Sequence, residues 1–481
     1  MSTEEQRLVR ALGLRDLTFL LIAAILNLNS VPVAASAGPS AIGLWILGFL
    51  FFFIPQGIAV LELSHRYPQE GGIYNWTKTA FGNMHAFVSG WCYWTNNIFY
   101  VPTLLFYLVG FAAFIGGDAT AGIGNNTYWM AGISLFLLWS LTGLNILGLG
   151  VGKWVQSFGS MGAFLTTTII LGVGILSIGL HGMANAMPLQ SLVPNLGQWT
   201  TWTIFGVVCL NYVGLELGAI MGDEIHEPRR NIPRAALLAG IFSVTMYVLA
   251  TFALQTTVPV EEIGLIDGIL QGVKHALSDL NMLWLLAPIA LLMSLNAAGN
   301  ASAWLAGAAR IPFVIGIDRY LPQALGRIHR RYHTPHIALT VQSAASSLFI
   351  IINSIGSSVS EMYLILLQIT IILQLIPYLY MFVALIRIRS GTSANGTTDG
   401  FFRSTWLCYG AGAVGFAVTA AGVFFAFLPA SAVSDVWGFV LKIVLGVFSF
   451  LIPAFVIFRH NARKIGAAPA ITPQQAEATV E

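Results

Sequence analysis

Long apolar runs, broken by proline, glycine or clustered charge, fill the chain from Leu17 onward. An α-helix needs about 20 such residues to cross a hydrocarbon core about 30 Å thick. Twelve runs qualify, beginning near Leu17, Ala41, Ala86, Tyr128, Val155, Thr201, Ala235, Leu283, Ile337, Tyr363, Leu407 and Trp437. The pattern predicts an all-α integral membrane body of twelve transmembrane helices over residues 17–458, here spans 1 to 12. No polar linker sets off a block large enough for a soluble domain. Residues 1–16 are expected to be a short terminal segment, and 459–481, rich in Ala, Pro and Gln, a disordered tail.

Charge supplies the orientation. With the N-terminus in the cytoplasm, all 22 Lys and Arg residues except Lys274 and Lys442 fall in cytoplasmic loops or termini. The positive-inside rule then predicts a multi-pass protein of the cell's inner (plasma) membrane with both termini cytoplasmic. Only 9% of the 481 residues are charged and 56% are hydrophobic, which excludes a soluble multidomain enzyme. Met1–Asp16 shows no small-residue cleavage pattern, so no removable signal peptide is expected. Cys92, Cys209 and Cys408 lie in separate apolar segments without a CxxC pair or a nearby His, and read as packing residues. Neither Gly110, Gly116 and Gly117 nor Gly148, Gly150 and Gly152 precede the Lys-Ser/Thr of a phosphate loop. No Ser/His/Asp or metal-ligand constellation lies at membrane depth, so the chain reads as no enzyme, with no cofactor, metal or nucleic-acid partner expected.

Polar residues within a span are informative, because a helix in lipid must satisfy its own backbone. Span 1 contains Asn27-Leu28-Asn29-Ser30-Val31-Pro32, where Pro32 removes a donor and clashes with the preceding turn. Span 6 contains Asn211-Tyr212-Val213-Gly214-Leu215-Glu216, which sets a flexible Gly beside a carboxylate. Both spans are expected to unwind at mid-membrane. Interruptions five spans apart point to an inverted-repeat transporter. Half-helix N-termini would attract a carboxylate and free carbonyls an ammonium, and an amino acid carries both charges. The alternative is that Pro32 and Gly214 are ordinary kinks, against which the matching positions argue.

Four stretches carry a family resemblance: Glu62 with Pro68-Gln69-Glu70-Gly71-Gly72-Ile73-Tyr74 and Phe81-Gly82; Tyr212 to Glu216; Asp223 to Ala235; and Ala308-Ala309-Arg310 through Asp318-Arg319-Tyr320-Leu321-Pro322. Together they resemble the amino acid-polyamine-organocation (APC) superfamily over nearly all twelve spans. Phe51-Phe52-Phe53-Ile54-Pro55 and Ser160-Met161-Gly162-Ala163-Phe164-Leu165 look most like the glutamate/gamma-aminobutyrate antiporter branch. The resemblance implies the five-plus-five inverted repeat of the leucine-transporter fold, with repeats at about 17–181 and 199–390 and spans 11 and 12 outside them. It places a site between spans 1, 3, 6, 8 and 10. Many proton-coupled relatives carry a Lys near Gly162, whereas here only Lys153, at the start of span 5, is nearby. Sodium-coupled relatives use paired hydroxyls in span 8, where Asn300-Ala301-Ser302-Ala303-Trp304 offers one. The expected activity is therefore amino acid exchange by alternating access. Proton symport of an amino acid or polyamine is the alternative, and the short loops and tail oppose a receptor or channel on the same fold.

The substrate-binding candidates are Asn27, Asn29, Ser30, Val31, Asn211, Tyr212, Val213, Gly214, Tyr100 and Asn300. Glu216 is the acidic residue placed well inside a span, at about 2.5 to 3.5 kcal/mol unless paired, protonated or wet. It reads as a gating or proton-sensitive group, or else as a hydrogen-bonded strut. Glu62 reads as an interfacial partner for basic loop residues. Asn296 and Asn300 share a helical face and either line a cavity or join helices. Trp94, Asn96, Asn97 and Tyr100 make span 3 polar and aromatic. The Arg310 to Arg331 cluster is expected to be a solvated cytoplasmic loop rather than a site for membrane lipids. The expected partners are small-molecule amino acids and membrane lipid. No strong basic residue lies mid-span to meet a side-chain carboxylate, so neutral amino acids fit as well as glutamate.

Overall fold

The computed structural model describes residues 8–116, 120, 126–263, 268–355, 359–394, 400–428 and 436–467. Residues 1–7 and 468–481, which hold the ends of the two expected terminal segments, lie outside that range. The helices are α1 (Leu14–Ile25), α2 (Val31–Ala35), α3 (Ser40–Gly48), α4 (Ile54–Arg66), α5 (Ile73–Phe81), α6 (Asn83–Ala112), α7 (Thr127–Ile146), α8 (Leu149–His181), α9 (Trp199–Asn211), α10 (Glu216–Ile220), α11 (Pro228–Thr257), α12 (Gly268–Asp279), α13 (Leu286–Ile317), α14 (His336–Ile355), α15 (Val359–Ala394), α16 (Thr405–Phe425) and α17 (Val436–Ala467). A π-helical turn, Phe49–Phe53, joins α3 to α4. No strand occurs among the described residues, and one isolated parallel bridge joins Leu12 to Ile225.

Among the described residues, nine helical segments are long and apolar enough to cross a membrane. Helices also occupy the three remaining expected positions. There α6 carries the polar run Thr95-Asn96-Asn97, α9 stops at Asn211, and the apolar stretch of α14 is only His336–Ile352. Exposed apolar residues such as Phe136, Leu180, Leu445 and Val456 cover the outer surface, and exposed Tyr128, Trp129, Trp406 and Trp437 stand at helix starts. That distribution suits a body solvated by lipid, with aromatic residues at its interfaces.

Helix α13 runs through the middle of the bundle, packed against α6, α8 and α1. Its contact with α8 is backbone to backbone: a Cβ on Gly159 would lie 2.6 Å from the Gly299 Cα, and one on Gly162 would lie 2.5 Å from the Leu292 carbonyl oxygen. Small residues allow this approach, which replaces the hydrophobic drive that lipid removes with van der Waals packing. It also leaves no room for a lysine at Gly162.

Ion pairs gather on the face expected to be cytoplasmic. Glu62 is buried and accepts from Arg66 and Arg389, each at 2.8 Å, and Asp318 accepts from Lys78 at 2.6 Å and from the Tyr74 hydroxyl at 2.7 Å. Lys153 reaches Asp16 at 2.9 Å. Arg310 corrects the expectation of a solvated loop. It is fully buried within α13 and forks onto Glu224 with two 2.9 Å hydrogen bonds, while Glu70 lies 3.7 Å away. The charge marks no helix end, because α13 continues to Ile317. A guanidinium is buried only where carboxylates meet it. Burial pushes the Glu70 and Glu224 carboxyls up, the charge of Glu224 raises Glu70 further, and Arg310 opposes both shifts. The main chain closes the same corner: Ala11 and Leu12 donate to the Glu224 carbonyl at 2.9 and 3.1 Å, and the His226 N–H donates to the Leu12 carbonyl at 3.0 Å.

Candidate functional site

Helical bonding in α1 ends with the Leu26 N–H on the Ile22 carbonyl at 2.8 Å. Leu26 and Asn27 are extended, with ψ of 91° and 95°, before a 3-10 turn at Leu28–Ser30 leads into α2. Pro32 occupies the first turn of α2, where its missing N–H leaves no helical bond unmade. The carbonyls orphaned at the end of α1 are met by side chains from other helices. Asn300 donates to Ala23 at 2.8 Å and to Ala24 at 3.2 Å, Trp304 to Ala24 at 3.0 Å, Asn296 to Leu26 at 3.0 Å, and the Tyr247 hydroxyl to Ile25 at 2.6 Å. The Asn27 N–H donates back to the Tyr247 hydroxyl at 2.9 Å, and the Asn27 side chain donates to Tyr100 at 3.1 Å. Asn29 is buried, and neither polar atom of its side chain has a hydrogen-bond partner among the described residues.

The second interruption lies between α9 and α10. Gly214 has φ +133°, a conformation that favours glycine. A Cβ there would lie 3.0 Å from Ile25 Cγ1 and 3.4 Å from the Ala24 carbonyl carbon, so the second interruption presses on the end of α1 at the first. Glu216 opens α10 and is fully buried. Its carboxylate accepts from the Tyr93 hydroxyl at 2.8 Å, the Gly214 N–H at 3.0 Å and Gln56 at 3.3 Å. These contacts tie α10 to α6 and α4, and the Tyr378 hydroxyl of α15 also faces the group.

A small cavity, with room for about one water molecule, lies where the interruptions meet, lined by Ala24 and Ile25 of α1, Asn96 and Tyr100 of α6, Leu210, Asn211 and Val213, Trp304 of α13 and Gln374 of α15. Of the sequence candidates, Tyr100, Asn211 and Val213 line it, and Asn27 joins it through Tyr100. Tyr212 turns away and donates to the Trp45 carbonyl at 2.9 Å. Asn300 holds the α1 carbonyls, so here it joins helices. Asn29, Ser30, Val31 and Gly214 build the interruptions without lining the cavity, and Glu216 stands outside its lining. Gln374, Trp304 and Tyr247 were not among the sequence candidates. A lone Gln in Ile371-Ile372-Leu373-Gln374-Leu375-Ile376 was the available signal for Gln374.

Apolar helices packed around a small cavity lined by Asn96, Tyr100, Asn211 and Gln374 among apolar side chains have the build of a membrane permease. The chain belongs to the amino acid permease family, whose model matches residues 12–458. An uncharacterized transporter of Legionella pneumophila is 26% identical over 79% of this chain and 81% of its own length. A probable agmatine/putrescine antiporter of Lactococcus lactis is 23% identical over 77% and 79%. A glutamate/gamma-aminobutyrate antiporter of Lactococcus lactis is 21% identical over 90% and 87%. The protein is thus a multi-pass transporter of the APC superfamily.

Proposed function

We propose that the protein exchanges one amino acid for another, or for its amine product, by alternating access. The observation that carries this reading is the contact of the second interruption with the end of α1 beside the cavity, at Gly214 against Ala24 and Ile25. Residues 17–458 form the transporter domain. Repeats 17–181 and 199–390 are related as inverted halves, spans 1 and 6 are unwound at mid-membrane, spans 11 and 12 lie outside, and both termini are cytoplasmic. The substrate ammonium is held by the Ile25 carbonyl, which accepts from Tyr247 and has a second lone pair to offer, and by Asn211. Its carboxylate is held by main-chain N–H groups of the segment Asn27 to Val31 once these leave the partners they have here, Tyr247, Asn296, Asn27 and Leu28. Tyr100 and Val213 shape the side-chain space, while Tyr212, Gly214 and Asn300 keep the interruptions open. Glu216 is the gating group, because one carboxylate links the span 6 interruption to α4, α6 and α15.

Two local facts support exchange over ion coupling. Gly162 has no room for a side chain, and Ser302, the one hydroxyl in the stretch Asn300 to Trp304, accepts from Asn145 at 3.2 Å. The antiporters among the relatives agree with this reading. The test is uptake of labelled amino acids into sodium-free proteoliposomes, empty or loaded with unlabelled amino acid, at pH 5.5 and 7.5. Uptake that requires internal amino acid supports exchange. Uptake into empty vesicles driven by an acid-outside gradient overturns it in favour of proton symport.

A further inference from the structure

Residues 182–198, which join α8 to α9, hold no Lys, Arg, Asp or Glu. Their apolar side chains are not packed away: Leu189 is 84% exposed and Val193 72%, and Met183 and Leu196 are exposed beside them. The segment is nevertheless held in place. Ala184 donates its N–H to the Thr256 carbonyl at 3.1 Å, and Asn185 Nδ2 donates to the Gln255 and Val258 carbonyls at 2.7 and 2.6 Å. The Val260 N–H donates back to Asn185 Oδ1 at 3.2 Å, so the start of the segment is stitched to the end of α11. A fixed cluster of uncovered apolar side chains marks an interaction surface.

Its neighbours say what covers it. The segment begins at the end of α8 far from Lys153, where Leu176 and Leu180 are exposed on the helix surface. Leu192 and Pro194 pack on Gly43, whose Cβ, were it present, would strike the Leu192 carbonyl oxygen. Gly43 lies in the first turn of α3, one turn before the exposed Ile46. At the far end, Trp202 Nε1 of α9 donates to the Leu196 carbonyl at 2.9 Å. An indole with its ring among apolar groups and its N–H on a polar one suits a membrane interface. The segment is thus bordered on both sides by the apolar surface that meets lipid. We infer that residues 182–198 are an interfacial anchor, lying in the headgroup layer with Leu189 and Val193 dipped toward the acyl chains. A segment without charge gives up no ion hydration on entering that layer, while its apolar side chains leave water. Its main chain stays where water and headgroups still serve the N–H and C=O groups.

The anchor does not depend on the exchange reading, and its test measures depth rather than transport. Leu189→Cys and Val193→Cys are each labelled with a polarity-sensitive fluorophore and placed in phosphatidylcholine nanodiscs, which leave both faces open to solvent and hold no other protein. Cys92, Cys209 and Cys408 are buried, so the label goes to the introduced thiol. Both replaced side chains are exposed, so the substitutions remove no packing. Glu227→Cys, at an exposed helix start, is the reference for water, and Leu445→Cys, on the apolar surface of α17, the reference for lipid. Phosphatidylcholine brominated along its acyl chains is expected to quench both labels, placing them about 5–10 Å into the headgroup and acyl boundary. Aqueous iodide is expected to lose most of the quenching it shows at Glu227→Cys. If iodide quenches either label as strongly as at Glu227→Cys, or if the bromines that quench Leu445→Cys leave either label untouched, the segment faces water and the proposal is overturned.

Discussion

Tyr247 accepts the main-chain N–H of Asn27 at 2.9 Å while donating to the Ile25 carbonyl at 2.6 Å, so one hydroxyl on α11 spans the interruption in span 1. Its ring is stacked on Trp45 at 4.2 Å, which fixes the hydroxyl's position. Tyr247→Phe keeps the stack and removes only the oxygen, leaving a buried donor and a buried acceptor unpaired. A loss of about 1–3 kcal/mol is expected. Thermal unfolding of the detergent-solubilised protein should show the variant melting below wild type. Equal melting temperatures would mean that the hydroxyl is dispensable.

Glu216→Gln separates the gate from the strut. The substitution keeps the volume of the side chain but removes a charge that strengthens hydrogen bonds from Tyr93, Gly214 and Gln56, each worth about 1.5–3 kcal/mol when charged. For a gate, exchange per folded molecule changes by about tenfold or more, since 1.4 kcal/mol shifts an equilibrium between states tenfold. For a strut, the melting temperature falls while exchange per folded molecule is unchanged. Exchange and melting are therefore measured on the same preparation.

The Glu70, Glu224 and Arg310 cluster sets a pH dependence of stability. Both carboxyls are raised in the folded protein, chiefly by burial, so the folded state holds protons that the unfolded chain has already released. Stability therefore falls as pH rises from the ordinary carboxylate value of 4.5 through the raised range, and levels off above it. Glu70→Gln should flatten that slope and leave stability at neutral pH equal to or above wild type. Glu224→Gln should instead destabilise by about 3–5 kcal/mol, because it breaks the fork that pairs a buried guanidinium. Melting curves from pH 5 to 8 check both signs, and a slope unchanged by Glu70→Gln would refute the assignment.

At Gly162, alanine is expected to cost about 1–3 kcal/mol through overpacking, since its methyl would fall on the Leu292 carbonyl. A lysine there should abolish folded protein, as judged by size-exclusion chromatography. A well-folded Gly162→Lys variant would show that α8 and α13 separate easily.

Much of the fold was legible because membrane helices announce themselves by length and hydropathy. Helices stand at each expected position, from Leu14–Ile25 to Val436–Ala467. Polar runs at Asn27 and Asn211 likewise fall where helical bonding stops, whereas the run Thr95-Asn96-Asn97 lies inside the unbroken α6. The partners of those runs were not legible. Tyr247 sits 220 residues from Asn27, and nothing in Thr245-Met246-Tyr247-Val248 tells a clamp from a packing aromatic. Gln374 hid for the same reason, its role depending on Asn96, 278 residues away. Arg310 misled because the sequence reading took a charge as the end of a span, whereas here a helix carries its own counterions in from Glu224.

The join between Leu12 and the loop holding Glu224 to His226 is made of main-chain hydrogen bonds alone. The seam itself uses no side chain, although Leu12 and Glu224 on either side of it are buried and Glu224 pairs Arg310. What it does fix is distance: Leu12 stands two residues before α1, and α1 leads straight to the interruption at Leu26. Inserting or deleting a residue between Leu12 and Leu14 would therefore put seam and cavity out of step, although no side chain that touches substrate had changed. Chain length between Leu12 and Leu14 is therefore a guide, beside the residues that pair Arg310, for judging which distant homologues work the same way.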